Sequence, residues 1–141
     1  MFGLFKSAKR KRLEQSAERA DICGSLLRIQ MEWDGEDGKP ELQSRLHTPF
    51  AYGYMFGFSD GFLITRKVDD DSARLGAIAA TFIFLFGKDR GLKAFDHCMA
   101  DQRDEQFVRG RLCGGQEAIE WRNSHGELTP SGLIDYLLNM G

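Results

Sequence analysis

Proline is scarce in this chain: Pro40, Pro49 and Pro130 are the only three. Long stretches are therefore free of the residue that breaks helices. Period-two alternation never runs beyond four residues, which argues against strands, and neither a solenoid-length repeat nor a low-complexity tract is present. The three cysteines, Cys23, Cys98 and Cys113, are odd in number and widely spaced. Paired-cysteine zinc spacing is missing, as are the two-histidine helical zinc motif, the phosphate loop and the dinucleotide fingerprint. No metal or cofactor is expected.

No apolar run is comfortably long enough to cross a bilayer. The best, Pro49 to Thr65, would make a helix of about 25 Å, slightly short, and it contains Asp60. The apolar Met1 to Phe5 precedes the basic run, the reverse of a secretory leader. With free cysteines this suggests a reducing cytoplasm. At 141 residues, 42% apolar and 28% charged, the composition fits a single globular domain.

What the chain does have is glycine at a fixed interval. Gly53, Gly57 and Gly61 recur every fourth residue among Phe50, Tyr52, Tyr54, Phe56, Phe58 and Phe62. Each glycine inside a helix costs about 1 kcal/mol relative to alanine, so the three require roughly 3 kcal/mol of offsetting contact. Close packing against another backbone is the expected source. Gly76 and Ala80, or Gly110 and Gly114, could receive this face within the chain, and a second subunit could do so equally well. Asp60 falls within about 20° of Gly53 on the helical wheel. A carboxylate there needs a charged or hydrogen-bonded partner, for which Arg109, Arg111 and Arg122 are candidates, or it lines a groove with Tyr52 and Tyr54 as donors.

Helical spacing of Leu13, Ala17, Ala20, Gly24, Leu27 and Met31 predicts a first helix from Arg12 to Trp33. The segment from Asp34 to Pro40 reads as a turn, and Pro40 can start a short segment through Leu46. Thr48-Pro49 signals a second helix over about 49–66, with Thr48 as cap and Pro49 at the first position. Asp70, Asp71 and Ser72 offer caps for a third, about 73–86, apolar almost all round and so expected at the centre, ended by a left-handed Gly87. A fourth, Asp89 to Met99, places Leu92, Phe95 and Met99 inward. A fifth, Asp104 to Asn123, carries Val108, Leu112, Gly115 and Ile119 on its stripe. A sixth follows Thr129-Pro130 and turns Ile134, Leu137 and Leu138 inward. The expected fold is thus an all-α, single-domain bundle of about six helices over residues 13–141, its glycine-faced helix packed on the central apolar helix 73–86.

Residues 1–12 carry Lys6, Lys9, Arg10, Lys11 and Arg12 and no acid, so the remainder carries −7 against −2 for the whole chain. This segment is expected to be partly frayed. Its apolar tip beside five cations suits an anionic membrane surface, where each cation contributes on the order of 1 kcal/mol. The acidic remainder speaks against a general nucleic-acid binder.

The densest chemical cluster is Asp96-His97-Cys98, with Asp101 close behind. Adjacent helical residues point about 100° apart, so His97 and Cys98 do not converge, whereas His97 and Asp101 share a face. Cys98 reads as a small core residue and His97 as a surface histidine. No catalytic residue is assigned, and a non-enzymatic role is favoured. The expected role is a small cytoplasmic interaction or adaptor protein, engaging itself or another protein through Gly53, Tyr54, Gly57, Asp60 and Gly61, and touching a membrane surface through its basic end. The alternative is a small-ligand binder or enzyme with a pocket near Asp60, Tyr52 and Tyr54.

Overall fold

A computed structural model describes residues 19–31 and 44–139. The basic segment 1–12, with Lys6, Lys9, Arg10, Lys11 and Arg12, and the turn 34–40 lie outside the described residues. Within them the chain is all-helical without strands, as expected for a helical bundle. Six helices of two turns or more are present: α1 (19–31), α2 (Pro49–Thr65), α3 (Asp71–Phe86), α4 (Lys88–Ala100), α5 (Glu105–Asn123) and α6 (Gly132–Asn139).

The glycine-faced helix α2 is itself the centre. Every residue from Ala51 to Ser59 is buried, and so are Gly61, Phe62 and Leu63. The apolar α3, expected in that place, buries only Ala77, Ile78, Thr81 and Phe82. Nor does the glycine face pack on α3: it lies against α5, at Phe107, Arg111 and Gly115. A methyl group at Gly53 or Gly57 would overlap the carbonyl oxygen of Phe107 or Arg111. Gly110 and Gly114 return the contact, lying against the backbone of Phe50 and Tyr54. Missing side chains on both helices let the backbones meet. Gly76 faces open space.

The contacts at 53, 57 and 61 advance in step with those at 107, 111 and 115, so α2 and α5 run parallel. Parallel neighbours need a crossover connection, and α3 and α4 supply it. Gly87 makes the corner between them with φ 86° and ψ 170°. Its φ is positive, as the glycine predicts, but its backbone is extended rather than left-handed helical, so α4 begins at once.

Helix starts follow the sequence unevenly. Asp70 and Asp104 accept from the backbone N–H of Ser72 (3.3 Å) and Phe107 (3.0 Å), capping α3 and α5. Thr48 precedes Pro49 as expected yet makes no side-chain cap. Its hydroxyl instead donates to the Arg45 carbonyl (2.8 Å) and meets the Tyr136 hydroxyl (2.9 Å).

On α4 and α5 the inward faces differ from the apolar stripes. Gly91, Ala94 and Cys98 turn inward on α4, leaving Leu92 and Met99 exposed. Phe107, Gly110, Gly114 and Ala118 do so on α5, leaving Leu112 and Ile119 exposed. On α6 the buried residues are Leu133 and Leu137, while Leu138 is exposed. Among the described residues no helix is long and apolar enough to cross a membrane.

Candidate functional site

Asp60 leaves the glycine crossing sideways and is only partly buried. Its Oδ1 accepts from Arg74 Nε at 3.1 Å, and a terminal nitrogen of the same guanidinium reaches Asp71 Oδ1 at 2.6 Å. The expected partners Arg109, Arg111 and Arg122 are not the ones used, because the short break between α2 and α3 brings the first turns of α3 back beside the last turns of α2. Arg74 also donates to the Val68 carbonyl at 3.2 Å, tying that corner together.

Tyr52 and Tyr54 are not brought together with Asp60. Two residues apart on a helix, they point to opposite sides of α2. The Tyr52 hydroxyl lies 2.8 Å from His47 Nδ1, and its ring stacks on His97. Tyr54 is fully buried, and its hydroxyl donates to Glu117 Oε1 at 3.0 Å while accepting from Gln30 Nε2 at 3.0 Å.

Gln30 and Glu117 belong to a polar cluster that periodicity does not reveal. Glu117 Oε1 also accepts from the backbone N–H of Ser131 (2.7 Å) and Gly132 (2.8 Å). Gln30 Oε1 accepts from Leu133 (2.9 Å) and Ile134 (3.2 Å). The first helix, distant in sequence, and α5, directly before α6, thereby satisfy the N–H groups at the start of α6, which a helix leaves open, and a carboxylate there also suits the helix dipole. Gly132 permits the approach, since a methyl group on it would overlap Glu117 Oε2. The cluster is fully occupied with holding α6. Beside it, Ile29, Pro130, Ile134 and Leu138 line a shallow apolar hollow of about 320 Å³.

The thiols are not poised for chemistry. Cys23, Cys98 and Cys113 are each pushed up to about 12, chiefly by burial. Cys113 donates to Glu117 Oε2 at 3.2 Å, and that carboxylate opposes the thiolate further. Cys98 is fully buried and faces the Tyr52 carbonyl, apart from Cys113. His97 is exposed, with Cys98 turned the other way into the core. Among the described residues no three His, Cys, Asp or Glu side chains are grouped to hold a metal ion.

Another hollow, also about 320 Å³, lies directly over the glycine crossing. Gly57, Gly61 and Gly115 form its floor, Ile64, Leu112 and Ile119 its apolar walls, and Asp60 and Arg111 its charged edges. Ile64 is 51% exposed, Leu112 65% and Ile119 37%. Arg111 Nε is buried without a hydrogen-bond partner. This is where the expected site residues Gly57, Asp60 and Gly61 converge; Gly53 and Tyr54 are spent inside the fold.

No protein-family model, no curated protein and no solved structure matches this chain.

Proposed function

We propose that this protein is a non-enzymatic helical interaction module that binds another protein through the hollow between α2 and α5. One observation carries the reading: three large aliphatic side chains, Ile64, Leu112 and Ile119, stand exposed around a hollow whose floor is glycine. Scattered exposed leucines are ordinary, whereas apolar side chains gathered around a concavity favour a contact surface. The glycine face does not supply that surface directly. It is used up between α2 and α5, and by drawing these helices together it leaves a shallow trough between their outer faces.

Energetics agree in sign. Completing the burial of three half-covered aliphatic side chains contributes about 1 kcal/mol each at about 25 cal/mol per Å². Such a surface supports a modest, reversible contact once the cost of association is deducted. The high thiol pKa values and the structural role of Gln30, Tyr54 and Glu117 add support for a non-enzymatic reading.

Site-specific photo-crosslinking in producing cells tests this. A benzophenone side chain at position 112 or 119 is expected to give protein adducts, and the same group at exposed Leu92 on α4 serves as the control. Equal crosslinking from all three positions would remove the hollow as a contact surface.

A further inference from the structure

We draw no further inference here: the strongest candidate, the shallow apolar hollow between α1 and α6 lined by Ile29, Pro130, Ile134 and Leu138, carries none because nothing in the structure shows what covers it.

Discussion

The hydroxyl of Tyr54 lies 3.0 Å from Oε1 of Glu117, a residue 63 positions away in sequence. That one contact links the buried face of α2 to the start of α6, because the same oxygen receives the N–H groups of Ser131 and Gly132. Tyr54→Phe removes the donor to Glu117 and leaves Gln30 Nε2 without its partner. A buried group so deprived costs about 1 to 3 kcal/mol. Glu117→Ala should cost at least as much, since it strips the cap of α6 as well. Urea denaturation of both single variants and the double variant measures the coupling, and additive losses would contradict a shared network.

Three glycines separate two physical causes. At Gly57 an added methyl group meets the Arg111 backbone, which cannot rotate away as a side chain could. Gly57→Ala should therefore lose about 2 kcal/mol or more despite the better helix propensity of alanine. At Gly87 nothing lies within 4 Å, but φ is +86°, so Gly87→Ala should lose about 1 to 2 kcal/mol from backbone strain alone. Gly76 has neither obstacle and lies inside α3. Gly76→Ala should gain about 0.5 to 1 kcal/mol. Thermal melts of the three variants check the order; a stabilised Gly57→Ala would deny the close approach of α2 and α5.

The contrast among these glycines also explains how much could be read from the chain. The span of α2 is legible to within a residue because Pro49 opens it and the polar break after Arg66 closes it. The cap at Asp70 is legible because an aspartate can reach its own helix start, whereas Asp104, expected as the first residue of its helix, stands just outside it as the cap. Which face turns inward is less so. Periodicity weights large apolar residues, and so selects Leu112 and Ile119 on α5, whereas backbone contact selects Gly110, Gly114 and Ala118. That small-residue stripe is visible at four-residue spacing once Phe107 is read with it. Gln30 and Glu117 leave no such trace, because their value depends on partners more than 60 positions away, the Leu133 N–H and the Tyr54 hydroxyl. The pairing of Asp60 with Arg74 follows from the length of the α2–α3 connection, which residue types alone do not disclose.

The cysteines should behave as core residues. With each thiol pushed up to about 12 from an ordinary 9.0, the thiolate fraction at neutral pH falls about a thousandfold, and it is the thiolate that reacts. Titration with a chromogenic disulfide at pH about 8 should find all three thiols slow in the native protein and quick after denaturation. Cys113, half-exposed, should be the first to react. Fast native reaction of Cys23 or Cys98 would mean that the packing between α1 and α2, or between α4 and α2, opens readily.

His47 gives the fold a dependence on pH whose sign is determined. Burial, and then the nearby positive charge of Arg90 on α4, lower its pKa below the ordinary 6.5. The Tyr52 hydroxyl 2.8 Å away keeps its proton, since burial raises its own pKa, and so offers no negative charge to hold an imidazolium. Folding thus favours the neutral imidazole. Above the unfolded pKa both states hold His47 neutral and nothing is lost. As pH falls through 6.5 the unfolded chain takes up the proton first, and stability declines as pH drops below about 7 until the folded imidazole is protonated as well. His47→Gln should flatten that decline while retaining a polar partner for Tyr52, and Arg90→Ala should raise the His47 pKa as followed by the imidazole proton resonances. An imidazole that titrates at or above 6.5 in the folded protein would reverse the sign and show that the charged form, not the neutral one, is held at the end of α2.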